Sequence, residues 1–273
     1  VALLRDLTLV RQLETRLRRS DRLAALGTLA AGFAHEIKNP LTSLLTFSRY
    51  LPRRFGDERF RQRFQSVVPR ELERINGIVN GLLRLARPTR LSLAPVGLPE
   101  LLEPALELYA EQLETKQITV VREYAPGLPR IQGDREHLYQ ALVNLVDNAL
   151  EAMGEGGTLT LRTGWADEEP ALASGGWRRE RHVRLEVADT GSGIVPAQAP
   201  EVFNPFFTTK PAGTGLGLAV VHKIVEDHGG AVTFRSTPGS GTTFSIVLPL
   251  TPGPEVRRST GGTPTTGVPR AIG

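Results

Sequence analysis

The run Ala31-Gly32-Phe33-Ala34-His35-Glu36-Ile37-Lys38-Asn39-Pro40-Leu41-Thr42 decides how the first third of the chain folds. On a helix, His35 and Asn39 lie four apart and share a face, while Ile37, Leu41, Leu44 and Leu45 can meet a partner helix. The face that carries His35 is polar, which is not the setting of a core histidine. Pro40 sits inside the pattern, yet the apolar spacing resumes beyond it through Phe47. The sequence therefore predicts a kinked helix running on to about Tyr50. A kink beside His35 gives that residue freedom to move.

Working outward, residues 1–8 read as a short apolar strand ending in Asp6 and Thr8, which can cap a following helix. From Leu9 the spacing turns helical. Val10, Leu13 and Leu17 keep a heptad, and Leu23, Leu26, Ala30, Phe33 and Ile37 resume it after a phase jump, the pattern of a coiled-coil seam with a stutter. On the other side, Pro52 and Gly56 punctuate a turn. A second helix follows, with Phe60, Phe64, Val67, Val68, Leu72, Ile75, Val79, Leu82 and Leu83 at three- and four-residue spacings. Two long helices joined by a short loop form a hairpin that cannot bury both faces alone. Two copies pairing into a four-helix bundle solve that problem. The second helix must stop before Pro88, and Pro88, Pro95, Gly97 and Pro99 mark 88–99 as a linker.

Beyond the linker the texture changes. Helices are expected over Leu101–Leu113, Arg135–Met153 (opened by Asp134 as N-cap) and Gly217–Asp227. Strands are expected over Ile118–Tyr124, Thr158–Thr163, Val183–Ala188, Ala231–Arg235 and Thr243–Leu248. Strands fall partly in adjacent pairs, which favours an α+β sandwich with helices on one face of a mixed sheet. Trp165 to Arg181 reads as a surface insertion between two strands, and 251–273, rich in Pro, Gly, Thr and Ser, as a flexible tail.

Composition narrows the chemistry. The chain has 273 residues, 40% hydrophobic and 23% charged, the balance of a globular protein with room for two small domains. It has no cysteine, so disulfides, thiolate zinc sites and cysteine nucleophiles are excluded. The net charge of +4 does not point to nucleic acid, because the arginines of the helical third are dispersed and lack interleaved aromatics. No apolar run reaches the roughly 18 residues that span a bilayer, so membrane contact is expected only through an upstream region. The chain starts at Val1 without a methionine, as expected of a piece of something longer.

Four clusters in the second half carry candidate chemistry. Asn144-Leu145-Val146-Asp147-Asn148 puts two amides one turn apart on one helix face; they suit a hydrated Mg²⁺ and equally a plain solvated surface. Asp189-Thr190-Gly191-Ser192-Gly193 closes a strand. Its carboxylate can accept from an exocyclic amine while Gly191 and Gly193 let a planar ring approach, although alone it reads as an Asp-x-Gly turn. Phe203-Asn204-Pro205-Phe206-Phe207-Thr208-Thr209-Lys210 sets aromatics beside a cation. It leads into Gly213-Thr214-Gly215-Leu216-Gly217-Leu218, where glycines before a helix expose N–H groups to a polyphosphate. This fits neither a P-loop nor a Rossmann fingerprint, and reads instead as a mobile lid. Gly239-Ser240-Gly241-Thr242-Thr243 is adequately read as a hairpin turn.

Taken together, these motifs make residues 1–250 resemble the sensor histidine kinases of bacterial two-component systems, in their nitrogen-regulation-like branch with a short lid. The resemblance implies a helical-hairpin dimerisation domain followed by an α/β sandwich ATP-binding domain of the gyrase, chaperone, histidine-kinase and mismatch-repair type. It implies the end of a PAS-like sensor in 1–8, dimerisation and phosphotransfer in 9–87, the linker 88–99, catalysis in 100–250 and the tail 251–273. His35 would accept the γ-phosphoryl of Mg-ATP, with Glu36 as general base. Asn148 would hold Mg²⁺ with Asn144 nearby, and Asp189 would read adenine beside Gly191 and Gly193. Lys210 and the Gly213, Thr214, Gly215, Leu216 and Gly217 backbone would cradle phosphate. A homodimer would then pass the phosphoryl group to the receiver domain of a response regulator, and Asn39 would position water for the reverse, phosphatase, reaction. Many relatives carry a basic residue three after the second asparagine of the Asn144–Asn148 box; here it is Glu151. A superfamily ATPase clamp without phosphotransfer is the alternative, marked by steady turnover with no phosphoenzyme. A cytoplasmic location is expected for the kinase core.

Overall fold

The structure, a computed structural model, describes residues 36–86, 91–166, 181–210 and 213–251. His35, the expected strand 1–8, the coiled-coil entry, most of the 165–181 insertion and nearly all of the tail lie outside the described residues. The chain divides into two compact units, Val1–Arg87 with Val202–Ala219, and Pro88–Glu201 with Val220–Gly273.

In the first unit, α1 covers residues 36–54 and α2 covers Glu58–Ala86. Helix α1 passes Pro40 without a break and runs beyond the expected end at Tyr50, so Pro52 lies in its last turn and the turn itself is 55–56. Past Pro40, the Thr42 hydroxyl donates to the Lys38 carbonyl and that of Thr46 to the Thr42 carbonyl, both at 2.8 Å, so both hydroxyls are satisfied on the helix's own backbone. Asp57 caps α2, its Oδ1 accepting from the Arg59 amide at 2.9 Å. Phe47 of α1 meets Phe60 and Phe64 of α2 with ring centroids 5.7 and 6.1 Å apart, closing the tip of the hairpin. Leu41, Leu45, Leu72, Val79 and Leu83 remain exposed along the two helices.

The second unit is built on a five-stranded mixed sheet. In chain order its strands are β2 (Thr119–Tyr124), β4 (Thr158–Trp165), β5 (His182–Asp189), β6 (Ala231–Thr237) and β7 (Gly241–Pro249), arranged β2-β4-β5-β7-β6. Only the β2–β4 pair is parallel. A separate two-stranded ladder joins β1 (Ala94–Val96) to β3 (Ile131–Gly133). Thus 94–96, inside the expected linker stretch, is paired strand, with Leu91, Val96 and Leu98 buried around it.

Helices α3 (Pro99–Leu108), α4 (Ala110–Thr115) and α5 (Arg135–Ala152) complete this unit together with α6 (Gly217–Asp227), whose first turn belongs to the first unit. The single helix expected over Leu101–Leu113 is two, because Tyr109 leaves helical geometry (φ −106°, ψ 11°) and its amide turns back to Leu106. Asp134 is the N-cap of α5 as read from sequence, accepting from the Glu136 and His137 amides at 3.1 and 3.2 Å. Burial works against its charge, and the Ser92 amide followed by His137 outweighs burial and holds the carboxyl below its ordinary range. Helix α5 lies on β5 and β7. Leu142, Leu145, Val146, Ala149 and Leu150 of α5 and Val183, Leu185 and Val187 of β5 form the core beneath it. The other side of the sheet is polar, with an Arg162–Glu123 ion pair and a Ser245 hydroxyl donating to Glu186 at 2.9 Å. Among the described residues no helix is long and apolar enough to cross a membrane.

Candidate nucleotide and phosphoacceptor site

Along β5 the inward positions are Val183, Leu185, Val187 and Asp189. Strand alternation therefore delivers a carboxylate to the helix-facing side at the strand's end, in phase with three aliphatic core residues. Asp189 is only 7% exposed. Its Oδ1 accepts from the Gly191 amide at 2.8 Å and from the Thr242 amide at 3.3 Å, which fixes the carboxylate without lateral freedom. The Thr242 contact comes from the start of β7, where Thr242 pairs with Asp189, so the Gly239–Thr243 stretch supports the carboxylate as well as closing the β6–β7 hairpin. Gly241, at φ 108°, brings that turn so close to the Asp189 carbonyl that a Cβ has no room. Gly191 lies under the end of α5, where a Cβ would meet the Ala152 carbonyl oxygen at 2.6 Å, and Gly193 lies against Thr237.

On α5 the core takes Leu145, Val146 and Ala149, leaving Val143, Asn144, Asp147 and Asn148 half-buried on the opposite face. The one-turn spacing of the two asparagines thus survives as a shared, accessible face. Gln140 donates to Asn144 Oδ1 at 3.1 Å. Tyr109, at the α3–α4 break, hydrogen-bonds Asp147. Burial, then the Asp147 charge and that bond, push its hydroxyl well above its ordinary value. Neutral amide oxygens flanked by Asp147 and Glu151 are hard donors on an unpacked face, so they fit an oxygen-seeking cation such as Mg²⁺.

The remaining sequence-identified residues belong to the first unit. Phe206 has a positive φ of 69°, a strained conformation for a bulky side chain. Its amide donates to the Gly215 carbonyl at 2.9 Å. Gly215, itself at φ 65°, permits that approach, since a Cβ there would lie 2.6 Å from the Phe206 Cα. The Lys210 amide donates to Thr208 Oγ1 at 3.1 Å, and the Gly213 amide to the Lys210 carbonyl at 3.2 Å. The sequence places Leu216 with the phosphate-cradling backbone. Its side chain is buried against Ile78 of α2, with Ile37 and Phe206 packed around the pair. Gly81 makes the room, because a Cβ at that position would lie 2.5 Å from Leu216 Cδ1, and Gly77 lies next to Thr214.

Of the residues that follow the expected phosphoacceptor in sequence, Glu36 Oε2 meets Nη2 of Arg74 at 2.7 Å. Asn39 is exposed and Pro40 buried. Arg74 lies in no sequence motif. Another histidine, His228, is buried and hydrogen-bonded through both ring nitrogens.

The chain matches the family model for the histidine kinase-, DNA gyrase B- and HSP90-like ATPase over residues 133–252. It matches that for the His Kinase A (phospho-acceptor) domain over residues 25–90. It is 39% identical over 238 residues to the sensor histidine kinase ZraS of Escherichia coli (strain K12), covering 87% of this chain and 48% of that protein. The chain thus spans about half the length of the curated relatives it matches. Among solved structures it is similar to histidine kinase ThkA in complex with the response regulator protein TrrA, with a TM-score of 0.73 and 29% identity over 91% of this chain and 69% of that one. It is also similar to full-length ShkA in complex with AMPPNP, with a TM-score of 0.57 and 30% identity over 80% of this chain and 45% of that one. The phospho-acceptor and ATPase models match in the order that the motifs demand, and the chain belongs to the sensor histidine kinases of bacterial two-component systems.

Proposed function

We propose that this chain is a kinase core that phosphorylates His35 from ATP and passes the phosphoryl group to an aspartate on the receiver domain of a response regulator. The observation that carries the reading is the pinned Asp189 carboxylate at the end of β5. An acceptor held rigidly by two backbone amides suits an exocyclic amine such as that of adenine. In this reading Gly191 and Gly193 flank the ring, and Lys210 with the backbone of 213–217 meets the phosphates. Asn148, with Asn144 beside it, would hold Mg²⁺. When bound, that ion supplies neutralisation of phosphate charge.

His35 attacks as a neutral imidazole. A nitrogen–phosphorus bond forms to the γ-phosphorus, the bond to the bridging oxygen breaks, ADP departs, and the second ring nitrogen gives its proton to Glu36. The exposed apolar residues of α1 and α2, Leu41, Leu45, Leu72, Val79 and Leu83, support a homodimer in which two hairpins complete a four-helix bundle. Residues 9–87 then serve dimerisation and phosphotransfer, and 100–250 catalysis. That ThkA is seen with a response regulator supports a receiver domain as partner, and the AMPPNP of ShkA supports ATP as donor. The core would work in the cytoplasm. The test is His35→Gln, which is expected to abolish acid-labile labelling from γ-labelled ATP while nucleotide binding persists. Labelling that survives the substitution overturns the reading.

A further inference from the structure

We propose that Arg74 is a positioning residue for phosphorylation, holding one oxygen of Glu36 so that the other is presented to the acceptor imidazole. The inference rests on the reading of Glu36 as the proton acceptor. Arg74 and Glu36 are 38 residues apart and meet across the hairpin, Nη2 to Oε2, at 2.7 Å. Their side chains are 21% and 27% exposed, so the pair is partly withdrawn from solvent.

Two features argue against a purely structural role. Taking the two charges partly out of water offsets much of what their attraction contributes, so the pair is weak evidence of a stabilising role. The guanidinium also sits badly for packing, because Arg74 Nε is buried with no hydrogen-bond partner among the described residues, a defect that offsets what the pair contributes. What the contact does accomplish is orientation. A glutamate has three rotatable bonds, and anchoring Oε2 removes most of that freedom before reaction. Oε1 accepts no hydrogen bond among the described residues. In the step itself the imidazole proton passes to Oε1 as the nitrogen–phosphorus bond forms and ADP leaves. Arg74 stays protonated and bonded to Oε2 throughout.

The experiment measures single-turnover labelling of His35 in the whole chain, comparing Arg74→Gln, Arg74→Lys, Glu36→Gln and the Arg74→Gln/Glu36→Gln double variant. Arg74→Gln is expected to slow labelling at saturating ATP by roughly tenfold to a hundredfold, with KM for ATP within about twofold of the parent. Arg74→Lys should recover part of the loss, and the double variant should be no slower than Glu36→Gln alone. If Arg74→Gln does not fold, Arg74→Met keeps the packed stem and takes its place. A parental rate in the Arg74 variant beside a slow Glu36→Gln overturns the positioning role and leaves the proton-acceptor reading standing. Losses that multiply in the double variant also overturn it, since Arg74 would then act apart from Glu36. A parental rate in Glu36→Gln overturns both.

Discussion

The Asp134 amide donates to Nε2 of His228 at 2.9 Å, and the opposite ring nitrogen, Nδ1, lies 2.7 Å from the Ile224 carbonyl oxygen. Only one tautomer satisfies both contacts: a neutral ring with its proton on Nδ1. The ring, 1% exposed, thereby ties the end of α6 to the N-cap of α5. Protonation would place a hydrogen on Nε2 against the Asp134 N–H.

A pH dependence follows. Burial pushes the His228 pKa down from its unfolded value near 6.5. The unfolded chain then binds the extra proton first as pH falls. The stabilisation is complete above about pH 6.5 and is lost as pH drops through the lower folded value. Glu226 raises the pKa of His222, which gives the opposite sign, but that pair is about half exposed and is discounted for solvent. The melting temperature of the whole chain should therefore be flat from pH 8 to about 7 and fall below about 6.5. In His228→Gln it should be lower at neutral pH and lack that acid-side slope. An unchanged slope in the variant would remove His228 as its source.

Asp189→Asn separates nucleotide binding from folding. An asparagine keeps the oxygen that accepts from the Gly191 and Thr242 amides, so the loop should hold. What is lost is a charged acceptor, a hydrogen bond of about 1.5–3 kcal/mol, or roughly a tenfold to hundredfold weaker affinity. Binding of a fluorescent ATP analogue measures it. Parental affinity in a folded Asp189→Asn variant would take adenine reading away from this carboxylate.

The sequence was most informative where a local signal and a packing demand coincided. Helix α6 falls at Gly217–Asp227 as read, and α5 ends one residue early behind the Asp134 cap, because capping and apolar period agree there. Strands β1 and β3 have three residues each, too few for alternation to register. Tyr109 interrupts a helix whose apolar spacing continues through it. Two supports of the candidate site are distant in sequence, the Thr242 amide 53 residues from Asp189 and Arg74 38 residues from Glu36, and periodicity cannot report such contacts. Leu216 shows a further ambiguity: a leucine between phosphate-type glycines reads as part of the loop, whereas its side chain fills the space left by Gly81.

That space gives a prediction on order rather than on chemistry. Leu216 is 3% exposed and Ile78 is fully buried beside it. Leu216→Ala should remove packing worth roughly 2–5 kcal/mol, and Gly81→Val should crowd the same seat from the other side. Hydrogen exchange of the amides in 202–219 should quicken in both variants, while α5 and β5 keep their protection. Unchanged exchange in both would mean that the Ile78–Leu216 contact does not hold the segment.

Asn39 allows a test that costs the fold little. It is exposed on α1, where alanine is the better helix former, so Asn39→Ala should change stability by no more than about 0.5 kcal/mol. Labelling of His35 should persist, because no atom of Asn39 takes part in the forward transfer. If its amide orients a water against the phosphorylated regulator, dephosphorylation should slow by on the order of a hundredfold, the usual loss when one placed donor is removed. Regulator dephosphorylation at the parental rate would assign that water to another residue. A parallel loss of both activities would instead tie Asn39 to the geometry of α1 around Pro40, since labelling of His35 needs no regulator.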